Sequence, residues 1–381
     1  MDEHVRHRVI WNLLQPLARL WIPFRFRLEC EPIREKGPML LIVNHVTAWD
    51  PLFMALAMGR KQIYYVASEH ILRAGFAGKL IKWLVAPIAR RKGAASLGTV
   101  KECLRHLRSG HSVCLFAEGE QSWDGRSIPV VKGTGSLAQA AGVQVVTYRL
   151  EGGYLSLPRW GKGLRRGRIR GRVTGVYSPA LLGGLAKEDI NRLLNKSIQE
   201  NAWERQRQEK ARYMGKRPAE SLERLLYLCP GCGCVGTLQS RGDQLFCPCG
   251  LRLTYTDTGF FSPDVPFADL SEWEDWQREQ LHRRRFVCAE KGGCLFSDEA
   301  IELMRIGEGH TQTLLGTGHL AQYEDRLECA GHCFSLDDIP DMAMTQANRL
   351  LFTGADGYYQ LRALNGANLR KYLEIWKEAQ S

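Results

Sequence analysis

The segment that decides the fold is "GPMLLIVNHVTAWDPLFMALAMG", residues 37–59. It begins with a continuous apolar run of β-forming residues and ends with an apolar helical stretch that stops at Gly59. Between them stand His45 and Asp50, and Asp50 precedes Pro51 as a capping residue does at a helix start. Polar side chains where a buried strand gives way to a helix occupy the place at which open α/β sheets form ligand crevices. The segment therefore predicts a parallel sheet with a site at a strand end.

The alternation of strand and helix continues to about residue 150, with strand-like runs "QIYYVA", "SVCLFA" and "VQVVTYRL". Continuous apolar strands separated by helices argue for an α/β fold with a mostly parallel sheet flanked by helices. A short segment rich in Cys and Gly follows, and then β-like patterns closed by an amphipathic C-terminal helix. We expect an α/β domain over 1–215, a zinc-ribbon-like segment over 216–262 and a β-rich domain over 263–381. Element order alone suggests a pleckstrin-homology-like barrel for the last.

Composition limits the classes of partner. A chain of 381 residues with 44% hydrophobic residues can bury a sizeable core. Its net charge of +11 predicts an acidic partner, which could be nucleic acid, an anionic membrane surface or phosphorylated substrates. The N-terminus carries Asp2 and Glu3 and lacks a small-residue cleavage site, so we do not expect a signal peptide. Nor does any apolar run reach the length of a membrane span.

The residues around His45 suggest acid–base chemistry. A carboxylate five positions on, across a turn, can bind one ring nitrogen of His45 and leave the other free as a base. A second polar strand end follows in "LFAEGEQS", where Glu118 and Gly119 could bind a substrate hydroxyl or amine. The alternative interpretation of Glu118 is an ordinary solvated strand exit.

Together these blocks resemble the 1-acylglycerol-3-phosphate acyltransferase family of glycerolipid acyltransferases. The family's first block is Asn-His, four variable residues and Asp, as in "NHVTAWD", and its third block resembles "FAEGEQS" at 116–122. A middle block resembles "APIARR" at 86–91, and a fourth resembles "GVQVVTYRLEGGY". The resemblance covers roughly residues 1 to 210.

The resemblance implies an O-acyltransferase that makes phosphatidic acid for phospholipid biosynthesis. An acyl group would pass from acyl-CoA or acyl carrier protein to the hydroxyl of 1-acyl-glycerol-3-phosphate. His45 would be the base and Asp50 its orienting group. The residues implied in substrate binding are Asn44, Arg90, Arg91, Glu118, Gly119 and Lys132.

The third block departs from the family at three positions. Ala117, Glu120 and Gln121 stand where the family has Pro, Thr and Arg. Losing an arginine and gaining a glutamate beside a phosphate site leaves the acceptor open, so another lysolipid or hydroxyl acceptor is an alternative. Arg126 or Lys132 could compensate.

Cysteine spacing predicts a metal site. "CPGCG" at 229–233 and "CPCG" at 247–250 are two knuckle-like turns joined by a linker of β-hairpin length. They predict a structural zinc held by Cys229, Cys232, Cys247 and Cys249. The second knuckle is one residue short, Cys234 is a spare thiol, and unmetallated thiols are the alternative.

Two segments suggest that the protein binds a membrane surface. The N-terminal segment interleaves apolar residues with arginines, which suits an interfacial helix or a helix packed on its own domain. Pro16 weakens the periodicity of both. The run "RWGKGLRRGRIRGR" at 159–172 has no acid and suits anionic headgroups. We expect a cytoplasmic protein, peripheral on the inner face of the membrane. A basic zinc-ribbon protein that binds nucleic acid is the alternative, disfavoured because Trp160 is the run's one aromatic residue.

Overall fold

The computed structural model describes residues 3–68, 83, 85, 87–90, 97–289, 293–307 and 311–380. The chain divides into two compact units. The first comprises Met1–Arg91, Ala95–Arg159 and Gly163–Gly215. The second comprises Lys92–Ala94, Trp160–Lys162 and Lys216–Ser381.

A seven-stranded sheet forms the centre of the first unit, in the order β1-β7-β6-β2-β5-β3-β4. Its strands are β1 Leu28–Cys30, β2 Met39–Val43, β3 Ile63–Ser68, β4 Ile88–Arg90, β5 Ser112–Phe116, β6 Gln144–Glu151 and β7 Ile169–Tyr177. Every neighbouring pair is parallel except β6 and β7. The predicted mostly parallel sheet is therefore confirmed.

Helices surround this sheet, as predicted. They are α1 Glu3–Phe26 and α2 Asp50–Met58, followed by Leu97–Arg108, Thr134–Ala140, Gly153–Ser156, Pro179–Gly183, Lys187–Ile198 and Ala202–Glu209. All five residues of β2 are fully buried, because neighbouring strands pair with both of its edges and its faces are covered. This is why "MLLIV" is continuously apolar rather than alternating.

The central position of β2 determines where the site lies. In the parallel ladders, Val43 at the end of β2 is in register with Phe116 on one side and with Tyr148 on the other. The chain therefore leaves β2 and β5 at the same edge of the sheet. Asn44 and His45 follow β2, and Glu118 follows β5 by two residues, so three polar residues are brought to one edge.

Helix α1 runs through two prolines: Pro16, which interrupts the periodicity of the sequence, and Pro23. One side of the helix packs on its own unit, where Ile22 and Phe26 are buried. Trp11 adds a hydrogen bond from Nε1 to the Gly59 carbonyl at 2.7 Å. This packing offsets the backbone hydrogen bonds that prolines remove. None of the helices in the described ranges combines the length and apolar character that crossing a bilayer requires.

The second unit contains two antiparallel sheets. The smaller has the order β11-β10-β9-β8, with β8 Gln239–Arg241, β9 Gln244–Phe246, β10 Arg252–Tyr255 and β11 Phe261–Ser262. The larger has the order β15-β14-β13-β12-β18-β17-β16. Its strands are β12 Phe296–Ile306, β13 Gln312–Gln322, β14 Arg326–Cys329, β15 His332–Ser335, β16 Asp341–Thr345, β17 Arg349–Gly354 and β18 Gly357–Ala363. The first strand thus pairs with the last, and the predicted β-rich segment is confirmed.

Among its described residues, the second unit also contains two helices, Leu270–Ala289 and Arg370–Ala379, and one 3-10 turn, Leu222–Arg224. Buried ion pairs hold the C-terminal helix in place: Arg370 pairs with Glu274, and Lys371 Nζ lies 2.7 Å from Asp298 Oδ2. The cysteine-rich and β-rich segments thus lie in one compact unit. The expected boundary near residue 262 and the pleckstrin-homology-like identity stay predictions.

Candidate active site

The turn between β2 and α2 is organised around the Asp50 carboxylate. Oδ2 accepts hydrogen bonds from His45 Nδ1 at 2.9 Å and from the Val46 and Thr47 amides at 2.7 and 2.9 Å. Oδ1 accepts one from Thr47 Oγ1 at 2.6 Å. Because a carboxylate only accepts, Nδ1 of His45 carries a proton, and in the neutral imidazole Nε2 is then the nitrogen with the lone pair. The hydrogen bond predicted between His45 and Asp50 is confirmed.

The interpretation of Asp50 as a helix cap needs correcting. Trp49 occupies the N-cap position, and Asp50 is the first residue of α2. The carboxylate points back to amides of the turn rather than forward to the helix, because those amides would otherwise be buried without partners. Pro51 does lie at the start of the helix, as expected.

Thr47 is a part of the site that sequence reasoning missed. Its hydroxyl donates to Asp50 and accepts from the Trp49 amide at 3.1 Å. A threonine placed three residues before an aspartate in a turn is a recognisable local motif, since such hydroxyls bond the backbone two residues on. That signal could have identified it.

Asn44 connects β2 to β6. Its Nδ2 donates to the Leu150 carbonyl at 2.8 Å, and its Oδ1 accepts from the Leu150 amide at 2.7 Å. The side chain is buried. These two hydrogen bonds continue the β2–β6 ladder one residue beyond the end of β2, and they therefore fix the position of the next residue, His45. Substrate binding by Asn44 stays a prediction.

Glu118 lies beside His45, at the same edge of the sheet as predicted. Its Oε1 accepts from the His45 amide at 3.1 Å and its Oε2 from the Ile128 amide at 3.0 Å. The side chain is buried, not solvated as the alternative interpretation had it. Burial raises the pKa of the Glu118 carboxyl to about 8, although the bonds from the Ile128 and His45 amides lower it. These contacts brace the turn that carries His45.

Two more contacts, both missed from sequence, hold His45. Its ring stacks on Phe116, with ring centroids 4.5 Å apart. Its carbonyl accepts from the Ser122 amide at 3.1 Å. The backbone and the ring are thus both held, while 20% of the side chain is exposed, which suits a base that must reach a substrate.

Gly119 and Arg90 meet at the third block. Gly119 has φ +78°, and a Cβ there would lie 3.3 Å from Arg90 Nη1 and from Val131 Cγ2. The positive φ favours glycine here, and a side chain would also make the Arg90 guanidinium and Val131 shift by a few tenths of an ångström. Arg90, on β4, is thereby brought from another strand to the residue after Glu118. Arg91 lies outside the described residues.

Lys132 is exposed, and its carbonyl accepts from Asn191 Nδ2 at 2.6 Å. The neighbouring helix, Thr134–Ala140, is too short to be a strong anion site by its dipole. No observed contact links Lys132 to His45 among the described residues.

Three arginines of the basic run 159–172 are paired with acids from elsewhere in the chain. In the first unit, Arg168 pairs with Glu29 at 2.6 Å and Arg172 with Glu151 at 2.5 Å. Arg170 pairs with Glu209. Three of the seven basic residues in this acid-free stretch are therefore paired with acids that are distant in sequence.

A second constellation, the cysteine cluster, comprises Cys229, Cys232, Cys247 and Cys249. Their sulfurs all lie within 4.8 Å of one another, with Cys229 and Cys249 separated by 3.7 Å and Cys232 and Cys247 by 3.8 Å. Tetrahedral thiolates at about 2.3 Å from zinc would be about 3.8 Å apart. The cluster therefore fits a structural zinc, and the predicted convergence is confirmed.

A comparison with known protein families finds a match within the first unit. Residues 25–151 match the family described as Acyltransferase. This segment of the N-terminal unit therefore matches an acyltransferase domain.

Individual relatives are similar over part of the chain. The chloroplastic 1-acyl-sn-glycerol-3-phosphate acyltransferase LPAT1 of Arabidopsis thaliana is 29% identical over 165 residues, which is 40% of this chain and 46% of the relative. The chloroplastic BAT2 of Brassica napus is 29% identical over 140 residues, 35% of this chain and 39% of the relative. The chain therefore spans less than half the length of these curated relatives.

Among solved structures, the 1-acyl-sn-glycerophosphate acyltransferase PlsC of Thermotoga maritima is 16% identical, with a TM-score of 0.43. The match covers 51% of this chain and 79% of that protein.

Replacing Glu118 with Gln should change how stability depends on pH. The folded state holds the carboxyl proton up to about pH 8, whereas an unfolded glutamate releases it near its ordinary pKa of 4.5. The stabilising contribution is therefore fully present below the lower value and is lost as the pH rises to the upper one. The wild type should lose on the order of 3 kcal/mol more free energy of unfolding than the variant between about pH 5 and pH 8.

Denaturant titrations at several pH values would measure this difference. The exposed Glu188, replaced by Gln, is the control and should leave the pH profile of the wild type unchanged. Parallel profiles for the wild type and Glu118→Gln would contradict the assignment of a raised pKa.

Proposed function

We propose that this protein is an O-acyltransferase that moves a fatty acyl group from a thioester to the hydroxyl of 1-acyl-glycerol-3-phosphate and so forms phosphatidic acid. The observation that carries the proposal is the His45–Asp50 pair, with Nδ1 bound and Nε2 left as a base at the sheet edge. The acyltransferase domain and the names of its relatives support the choice of reaction. The thioester would be carried by coenzyme A or acyl carrier protein.

The mechanism follows from the geometry of His45. Nε2 takes the proton of the acceptor hydroxyl as its oxygen attacks the thioester carbonyl. The imidazolium that forms is stabilised by the Asp50 carboxylate on the opposite nitrogen. When the tetrahedral intermediate collapses, the carbon–sulfur bond breaks and the thiol leaves with the proton from Nε2. A thioester is already activated, so this route needs no acyl-enzyme.

Positioning of the base is the second contribution of the chain. The amide, the carbonyl and the ring of His45 are each held by a different residue, namely Glu118, Ser122 and Phe116. A base held by its whole surroundings loses little entropy when the acceptor binds. The Arg90 guanidinium, next to Gly119, supplies a cation for an acidic acceptor headgroup.

The His45→Ala variant should lower acyl transfer from acyl-CoA to 1-acylglycerol-3-phosphate by at least about 1000-fold, because it removes the base. Asp50→Asn should lower it by about 100-fold or more, since the amide can donate to Nδ1 and favour the wrong tautomer. Exposed His282, replaced by Ala, is the matched control. The rate of acyl transfer would be measured from the product formed. Thermal unfolding would show whether each variant folds.

Retention of wild-type turnover by folded His45→Ala would remove the proposed base. If Asp50→Asn is inactive only because it unfolds, Thr47→Val provides the second test, since it removes a single donor to Asp50. That variant should keep the fold and lose a smaller part of the activity.

We also propose that the cysteine cluster holds one structural zinc. The four thiols fit tetrahedral coordination, and a closed set of four sulfur ligands leaves no position for substrate. The Cys229 amide donates to the Cys234 carbonyl and the Gly233 amide to the Cys229 carbonyl, which shapes the first knuckle. The ion would therefore stabilise the second unit and take no part in acyl transfer.

Replacing Cys232 with Ser should lower the zinc content of purified protein to well below about one ion per chain. The second unit should also become less stable, because zinc binding contributes to the free energy of folding. Cys234→Ser is the control, since Cys234 lies in the same turn but outside the four-sulfur cluster. Elemental analysis and thermal unfolding would measure both effects. Loss of zinc from Cys234→Ser with retention in Cys232→Ser would contradict this set of ligands.

Finally, we propose that α1 binds the protein to the inner, anionic face of a membrane. Four exposed apolar residues spaced by four, three and four positions share one side of the helix: Leu13, Leu17, Leu20 and Phe24, exposed by 71, 68, 75 and 69%. We call this set the α1 stripe. Apolar side chains so exposed on one face suit insertion into an interface.

The C-terminal end of the α1 stripe lies close to the catalytic turn. Trp49 in that turn packs against Phe26 and Trp21 of α1, with ring centroids 4.9 and 6.0 Å apart. A membrane that receives the stripe would therefore lie near His45, where a lipid acceptor must arrive.

Replacing Leu17 and Leu20 together with Glu should move most of the protein off liposomes that contain anionic lipid, because it puts two charges into the apolar interface. The matched control places Glu at Leu97 and Leu181, which are also exposed but lie elsewhere in the first unit. Adding high salt to the wild type should remove less protein from the liposomes than the double substitution does, because three arginines of the basic run are already paired within the chain. The amount of bound protein would be measured by liposome flotation. If both double variants bind as the wild type does, the proposal is contradicted.

A further inference from the structure

The third block lacks an arginine at position 121, yet a guanidinium is present beside that residue. Arg159, which comes from the chain after the fourth block, donates from Nη1 to the Gln121 carbonyl at 3.4 Å. Its guanidinium packs over the ring of Trp123 at 4.4 Å and lies 3.5 Å from Glu120 Oε1. A cation missing at one position of the sequence is thus supplied from another segment.

The position of Arg159 relative to His45 follows from one peptide group. The peptide between Gln121 and Ser122 accepts from Arg159 at its carbonyl and donates to the His45 carbonyl from its N–H. A single peptide unit therefore separates the guanidinium from the backbone of the proposed base. Arg90, beside Gly119, approaches the same loop from β4.

Glu120 is suited to be an exchangeable counter-ion of Arg159. Their contact of 3.5 Å is longer than the roughly 2.8 Å of a strong charge-assisted hydrogen bond. The Glu120 side chain is 20% exposed and that of Arg159 9%. The ring of Trp123 and the carbonyl of Gln121 hold the guanidinium independently of Glu120, so a phosphate could take the place of the carboxylate without moving it.

Arg126, in the same loop, is placed differently. Its Nε and Nη2 bind Asp124 Oδ2 at 2.8 and 2.5 Å, a much tighter pairing than that of Arg159. A headgroup would have to break a strong pair to recruit Arg126.

We propose that Arg159 determines specificity for an acceptor with a phosphate headgroup, and that Glu120 occupies its guanidinium until the phosphate displaces it. This rests on the proposed function, because it assigns a residue of the same site to the headgroup of the acceptor. Arg90 and Arg159 together would give the phosphate two cations, with Arg159 in place of the arginine that the third block lacks at position 121.

The experiment compares two acceptors, 1-acylglycerol-3-phosphate and the phosphate-free 1-acylglycerol, in neutral detergent micelles. Arg159→Gln should raise KM for the phosphate-bearing acceptor by about 10- to 100-fold, the effect of losing a charge-assisted hydrogen bond, with kcat nearly unchanged. For the phosphate-free acceptor, kcat/KM should change little. Glu120→Thr should lower KM for the phosphate-bearing acceptor, and Arg126→Gln should behave as the wild type.

A separate binding measurement distinguishes failure of this inference from failure of the proposed function. Calorimetry with sn-glycerol 3-phosphate should show binding to His45→Ala that is weakened by adding Arg159→Gln. If no acyl transfer occurs but this binding depends on Arg159, the inference stands and the reaction is wrong. Equal losses on both acceptors, a larger effect of Arg126→Gln, or binding that is indifferent to Arg159 would each overturn the inference.

Discussion

The Asp50 carboxylate is the interaction on which the site depends. It gathers the His45 ring, two amides and a hydroxyl of the same turn onto two oxygen atoms. Because each of these donors is buried or nearly so, removing the carboxylate would leave several polar groups without partners at once. The turn therefore has one arrangement of low free energy, and in that arrangement the tautomer and the direction of the imidazole are both determined.

Contacts from the rest of the first unit hold that turn in position. Asn44 binds it to β6, and Glu118 binds it to the chain that follows β5, so His45 is held from both neighbours of the central strand. Glu118 does this with a carboxyl whose pKa burial has raised to about 8. Its observed contacts hold the backbone of His45, and substrate binding by Glu118 stays a prediction. Rigid support of this kind is what proton transfer requires, since small displacements of a base are costly.

Charge is distributed in the fold in a way that the linear sequence conceals. The run at 159–172 has no acid in sequence, but Glu29, Glu151 and Glu209 pair with its arginines in space. The first arginine of the run, Arg159, instead contacts the third-block loop at the Gln121 carbonyl. The exposed apolar side of α1 is therefore the stronger support for the proposed membrane binding, and Trp49 connects that helix to the turn that carries His45.

Sequence by itself determined the parallel sheet, the strand-end site with His45 and Asp50, and the four-cysteine cluster. These rest on local patterns: a continuous apolar run, a turn with fixed spacing, and knuckles with their glycines. Only the tertiary structure decided which atoms Asn44 and Glu118 bind, that Phe116 stacks on His45, and that Arg159 reaches Gln121. Each of those contacts joins segments between about 30 and 110 residues apart, and separation in sequence carries no distance until the strands have paired. Glu118 shows the physical reason most clearly, because the same glutamate at a strand end is solvated or buried according to what the neighbouring strand brings beside it.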